Sequence, residues 1–170
     1  SLQKIGITKA LDEVLPKIWG DADLIKQVVM NILVNAQQAI AGAGSIVVTT
    51  RMAPQAQERH APMVELAIKD TGCGIPEANM QRIFDPFFTS KEVGKGTGLG
   101  LSTVYGIVKQ ADGWIHVDSG LGRGATFRIF LPVYVPTAGT PAHAPAAAKP
   151  KPVARDLSGA GRILFVEDED

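Results

Sequence analysis

An α+β fold is what this sequence predicts, on three observations. Two stretches, Ile25 to Ile40 and Leu99 to Ala111, carry apolar residues at helical spacing. Short β-rich runs surround them, at 2–10, 45–52, 62–69, 114–119 and 124–132, each bounded by glycine, proline or acidic residues. The stretch from Asp70 to Ser102 carries a glycine cluster at each end and opens the second helix.

Composition narrows the setting. The chain has 170 residues, room for one ordinary domain and part of another. Seventeen Lys and Arg balance 17 Asp and Glu with no long run of one sign, so neither a nucleic-acid face nor a membrane-binding patch is expected. No apolar run approaches the ~20 residues of a membrane span. Cys73 is the one cysteine, which rules out an intrachain disulfide and fits a reducing cytoplasm. The chain begins without Met and stops mid-pattern at Asp170, and is expected to be part of a longer protein.

In order, LQKIGITKA at 2–10 alternates as an opening strand, and Lys17-Ile18-Trp19 is expected to pair with it. Asp21 is the expected N-cap of the first helix, with Asp23 in its first turn. Ile25, Val28, Val29, Ile32, Leu33, Ala36 and Ile40 give that helix one buried face, and Gly42 and Gly44 stop it. SIVVTTRM and PMVELAIK form a hairpin across a polar, proline-containing turn, and its second strand delivers Asp70. A short helix is expected at Met80–Phe84, after which Phe87 and Phe88 anchor the near end of a lid in an apolar pocket. Leu99, Leu101, Val104, Ile107, Val108 and Ala111 form the core face of the next helix, ended by Gly113. WIHVDS points Ile115 and Val117 inward, and the run from Gly124 to Pro132 closes the sheet.

Two glycine clusters and two aligned amides point to a nucleotide. A carboxylate at a strand end, Asp70, accepts the exocyclic amino hydrogens of adenine and repels the oxygen of guanine. Gly72 and Gly74 let the backbone approach the ring. Gly94-Lys95-Gly96-Thr97-Gly98-Leu99-Gly100 opens a helix whose free N–H groups and dipole favour phosphate, with Lys91 and Lys95 adding charge. Asn31 and Asn35 lie four apart on one side of the first helix. Neutral amide oxygens there suit Mg²⁺, which takes few protein ligands beside phosphates and water.

These residues carry a resemblance to the ATP-binding domains of histidine kinases over roughly 1–135. Asn31 and Asn35 resemble the N box, Asp70–Gly74 the G1 box, Phe84-Asp85-Pro86-Phe87-Phe88 the F box and Gly96–Gly100 the G2 box. The fold implied is the one shared with gyrase and the heat-shock chaperone ATPase. It is a two-layer α/β sandwich whose mixed, mostly antiparallel sheet is covered on one face by helices and carries a mobile ATP lid. The ligands implied are ATP and Mg²⁺. Asn35 is the metal residue, and Asn31, Asn35 and Lys91 are the candidates for the phosphoryl-transfer chemistry. Asp70, Gly72, Gly74, Ile75, Phe88, Lys95, Gly96, Thr97, Gly98, Leu99, Gly100, Leu101 and Thr126 are the nucleotide contacts. Thr126 matches a family threonine near adenine, though a threonine belongs in a strand for structural reasons too. Many relatives carry a basic residue just after the N box, where this chain has Gln37 and Gln38, so Lys91 is the candidate to meet the phosphate charge.

Beyond 135, a Pro/Ala-rich stretch at 136–161 reads as a linker. Residues 162–170 resemble the first strand of a receiver domain, truncated, with Glu167 and Asp168 as its acidic pair. His60, His116 and His143 fall in a turn, a strand and the linker, so none reads as a phosphoacceptor. The expected activity is therefore transfer of the γ-phosphoryl of Mg-ATP to a histidine on a separate dimerisation helical domain. Expected partners are that domain, the receiver of the same protein and a downstream phosphotransfer protein in a two-component phosphorelay. Three alternatives come from other classes: a gyrase- or chaperone-like ATPase, which needs a glutamate that the first helix lacks; a protein-serine kinase of the anti-sigma type, against which the linker and receiver start speak; and a nucleotide-binding regulatory module without transfer. The runs GTGLGLSTVYGIVKQ and GWIHVDS resemble, more narrowly, hybrid cell-cycle kinases of bacteria that answer to cyclic di-GMP. That resemblance implies a regulatory site, expected at Tyr105, Lys109, Trp114 and His116.

Overall fold

Among the described residues, five strands form one sheet in the order β1-β2-β3-β5-β4. They are β1 (Lys4–Leu11), β2 (Ala43–Met52), β3 (Met63–Asp70), β4 (Trp114–Ser119) and β5 (Ala125–Pro132). β1 runs parallel to β2, and the other pairs are antiparallel. The helices are α1 (Ala22–Ala39), α2 (Glu77–Met80) and α3 (Gly100–Gln110). This is a computed structural model, and it describes residues 4–53, 62–91 and 96–135. The chain divides into a unit Ser1–Tyr134, which holds the sheet and all three helices, and a second from Val135 onward. The expected linker and receiver segments, His60, His143 and Lys95 lie outside the described residues.

α1 forms where its cap and its apolar stripe agree. Asp21 Oδ1 accepts from the backbone N–H groups of Asp23 at 2.8 Å and Leu24 at 3.3 Å. Such a cap is worth about 1 kcal/mol. Val28, Ile32 and Ala36, one turn apart in sequence, are buried against Val104, Ile107 and Val108 of α3 and against Ile46, Ile68, Phe127, Ile129 and Leu131 of the sheet. Each large side chain so buried contributes about 1.5–3 kcal/mol. The helices thus cover one face of the sheet, the two-layer arrangement the resemblance implied.

Four local expectations change. Ile18 bridges Val133, not β1, and Tyr134 N–H donates to the Lys17 carbonyl at 2.8 Å. The chain leaves β1 through a turn in which Val14 N–H donates to Asp12 Oδ1, and Trp19 then stacks on Tyr134 at 5.6 Å. The short helix is Glu77–Met80 rather than Met80–Phe84, because Pro76, with φ fixed at −60°, starts it early and residues 81–84 continue as turns. Phe87 is 75% exposed, with a left-handed φ of 65°. Its backbone packs against Gly98, where a Cβ would stand 2.4 Å from the Phe87 carbonyl carbon, and among the described residues its ring is left exposed. Leu99 is also exposed, because it stands just ahead of α3 rather than within its buried face.

Candidate functional site

A cavity of about 730 Å³ opens between α1, the end of β3, the segment 88–91 and the start of α3. That volume lies in the usual ligand-pocket range of roughly 300–1,000 Å³. Asn31, Asn35, Asp70, Gly74, Ile75, Phe88, Lys91, Gly96, Thr97, Gly98, Gly100 and Leu101 all line it, so residues spread over 71 positions of sequence meet at one place.

Asp70 sits at one end, only 3% exposed. Its Oδ1 accepts from the backbone N–H groups of Gly72 at 2.7 Å and Ala125 at 3.2 Å. Oδ2 takes no hydrogen bond from the described residues and is left for a donor in the cavity. The loop after Asp70 is interlocked with the β4–β5 turn. A Cβ on Gly124, at φ +75°, would lie 2.0 Å from the Asp70 carbonyl oxygen, and one on Gly74 would lie 2.0 Å from that of Gly120. Ser119 closes the arrangement: its Oγ accepts from Ile75 N–H and donates to the Gly124 carbonyl, both at 2.8 Å. Gly72 does not line the cavity; it serves Asp70 through its N–H while Cys73 N–H anchors the loop to the Ala39 carbonyl.

The other end is built from side chains and a helix start. Among the described residues no side chain caps α3, whose start borders the cavity through Gly100 and Leu101, with Gly98 just ahead of it. Its unsatisfied N–H groups make an anion seat. Asn31 Nδ2 donates to the Gly100 carbonyl at 3.2 Å and so braces this turn from α1. Lys91 Nζ donates to Asn35 Oδ1 at 3.3 Å and also to Gln38 Oε1. The cavity is therefore negative at Asp70 and positive at Lys91. Among the described residues no group of three His, Cys, Asp or Glu side chains is placed to hold a metal. The Asn35 amide oxygen already accepts from a cation, which fits Mg²⁺ held chiefly by phosphates and water.

Thr126 stands apart from this set. It pairs with Lys69 and alternates with Ala125 and Phe127, which line the cavity, so it belongs to the opposite face of the sheet. Ala125 is the residue beside Asp70. The alternation of Phe127, Ile129 and Leu131 with Thr126 and Arg128 was the signal for this. Sequence reasoning also missed Asn79, which lines the cavity, Ser119 and Gln38. Nothing local marks Ser119 or Gln38, whose partners are 44 and 53 positions away.

The four residues expected at a regulatory site lie on two neighbouring elements, Tyr105 and Lys109 on α3 and Trp114 and His116 on β4. Tyr105 on α3 tilts onto Phe84 at 5.4 Å, with Lys109 Nζ 5.4 Å from the Tyr105 ring. Trp114 stacks on Phe130 at 3.8 Å on the far face of the sheet. His116 contacts Asp118 at 3.0 Å on that same face.

Comparison with known proteins bears on this geometry. Residues 20–135 match the model of the family described as "Histidine kinase-, DNA gyrase B-, and HSP90-like ATPase". The chain is 48% identical over 163 residues to the sensor kinase CckA of Brucella abortus, covering 90% of this chain and 17% of that protein. It is 41% identical over 130 residues to the signal transduction histidine-protein kinase AtoS of Escherichia coli, covering 76% of this chain and 20% of that one. The chain thus spans about a fifth of the curated relatives it matches. Among solved structures, the mycobacterial sensor histidine kinase MprB superposes with a TM-score of 0.64 at 27% identity, covering 76% of this chain and 82% of that one. Full-length ShkA in complex with AMPPNP gives 0.64 at 29%, covering 79% and 27%. The chain belongs to the histidine kinase-, DNA gyrase B- and HSP90-like ATPase family, and these relatives are sensor histidine kinases.

Proposed function

We propose that this chain is the catalytic ATP-binding domain of a hybrid histidine kinase, which holds Mg-ATP and presents its γ-phosphoryl to a histidine on a separate dimerisation domain. The observation that carries the reading is the polarity of the cavity: a buried carboxylate with one free oxygen at one end, and an uncapped helix start with Lys91 and Asn35 at the other. Adenine donates its exocyclic amine to Asp70 Oδ2. The phosphates meet the first turn of α3, Thr97 and Lys91, and Asn35 holds Mg²⁺, whose charge offsets that of the phosphates. Phosphoryl transfer asks mostly for such positioning and charge neutralisation.

α1 reads ADLIKQVVMNILVNAQQA, without the glutamate that a hydrolytic ATPase of the gyrase class uses to activate water. This favours transfer to a supplied histidine over hydrolysis. The test is radiolabelled ATP with the chain and a helical hairpin carrying a phosphoacceptor histidine, added in trans. Label on that histidine supports the kinase; phosphate released to water supports the ATPase, and binding without transfer the regulatory module.

Likeness to CckA extends the proposal to cyclic di-GMP as regulator and to a receiver and a phosphotransfer protein downstream. A cyclic dinucleotide using Tyr105, Lys109, Trp114 and His116 together would bridge α3 and β4. Calorimetry on Tyr105→Ala and Trp114→Ala separates the two halves. A ligand lost with only one substitution uses one face alone.

A further inference from the structure

Lys91, itself exposed, is seated at the mouth of the cavity by three contacts. Its backbone N–H donates to Thr89 Oγ1 at 3.1 Å. Its stem passes over Gly96, where a Cβ would stand 3.1 Å from Lys91 Cδ. Its ammonium then reaches two amide oxygens one turn apart on α1, Asn35 Oδ1 and Gln38 Oε1. Both oxygens belong to neutral side chains that accept and carry no charge, so together they make a cradle for one cation. Asn35 is also the residue assigned to the metal in the proposed function, on which this inference rests. One amide oxygen has two lone pairs, but two cations brought to it repel one another.

We infer that the Lys91 ammonium and the divalent ion compete for Asn35, with Gln38 holding Lys91 in the metal's place until a metal–nucleotide complex displaces it. In the nucleotide-free protein Lys91 keeps the Asn35 oxygen satisfied. With metal-free nucleotide it stays there and serves as the counter-charge to the phosphates. With metal–nucleotide it leaves Asn35 and remains on Gln38. Gln38, standing where many relatives place a basic side chain, thus positions a basic group supplied from 53 residues further along the chain.

The quantity to measure is the ratio of Kd for a non-hydrolysable ATP analogue in EDTA to its Kd in Mg²⁺. Calorimetry on the whole chain gives both. Lys91→Met removes the stand-in cation from the metal-free complex and the competitor from the metal-bound one, so the ratio should rise by about fivefold, the low end of ordinary coupling between sites. A lysine that only contacts phosphate in the metal-bound complex predicts a fall, and a solvated lysine predicts no change; either result overturns the competition. A second readout needs no nucleotide. Amine acylation followed by mass spectrometry should label Lys91 more slowly than the exposed Lys9 and Lys69, and Gln38→Ala and Asn35→Ala should each speed it. Equal labelling in the wild type removes the cradle. A wild type that binds no nucleotide in either buffer overturns the functional reading and the competition with it, whereas binding with an unmoved ratio overturns the competition alone.

Discussion

At the Asp70 end of the cavity nearly every contact is made by backbone, and at the Lys91 end by the tips of long side chains. Asp70 is held by the N–H groups of Gly72 and Ala125, and its loop is locked to the β4–β5 turn at distances that admit no Cβ. Lys91 is held by the amides of Asn35 and Gln38 across the cavity. Backbone contacts lose little entropy when a ligand arrives, because folding has already fixed them. Lysine and glutamine tips keep their freedom until something orders them. The base end is thus built to recognise, and the phosphate end to rearrange.

The largest expected effect tests the lock. Gly124→Ala places a Cβ 2.0 Å from the Asp70 carbonyl oxygen at a φ of +75°, and should cost about 3 kcal/mol or more in urea unfolding. Gly122 is the control. Its φ of +73° is as unusual, but nothing lies within 4 Å of its Cβ position, so Gly122→Ala should cost about 1 kcal/mol. Equal losses would show that strain alone, not the interlock, sets the penalty.

Next comes Asp70→Asn. The amide offers a donor where adenine needs an acceptor, so ATP binding should weaken by about 2 kcal/mol, the scale for losing a charged hydrogen-bond partner. Calorimetry reads it directly, and an unchanged Kd would take Asp70 out of base recognition. At the opposite end, Asn35→Ala should weaken Mg-ATP binding by about 1.5 kcal/mol and spare adenosine, which has no phosphates to bridge. Equal loss for both ligands would mean that the substitution disturbs α1 rather than the metal end.

How much of this was legible follows the same division. The Asp21 cap, the stripe of Val28, Ile32 and Ala36, the β2–β3 hairpin and Asp70 at its strand end could all be read, because each rests on local periodicity or turn chemistry. The partner of Ile18 could not, since β1 and the end of β5 both offer a strand edge and only tertiary packing chooses between them. Phe87 misled for a related reason: a phenylalanine beside a lid suggests an anchor, but its left-handed φ exposes the ring. Thr126 misled although the pattern was available, as its neighbours Ala125 and Phe127 take the cavity side. The seat of Lys91 depends on a contact across 53 residues that no local pattern encodes.

The smallest expected effect asks whether the two ends are independent. Ser119 does not line the cavity; its hydroxyl joins Ile75 N–H to the Gly124 carbonyl, one residue before the N–H that Ala125 gives to Asp70. Ser119→Ala leaves both groups without that partner at a half-buried site, where each ordinary hydrogen bond is worth about 1 kcal/mol. The strand itself should survive, because Ser119 ends β4 and its pairing with Ala125 uses backbone alone. The loss should therefore appear in ligand binding, at about 1 kcal/mol, and should be the same for adenosine as for Mg-ATP, since the phosphates lie at the far end. Ser119→Thr keeps a hydroxyl on a residue type that strands favour and should recover most of the loss. If Ser119→Ala weakened Mg-ATP markedly more than adenosine, disturbance at the base end would be reaching the phosphate end, and the separation of a rigid recognising end from a rearranging one would fail.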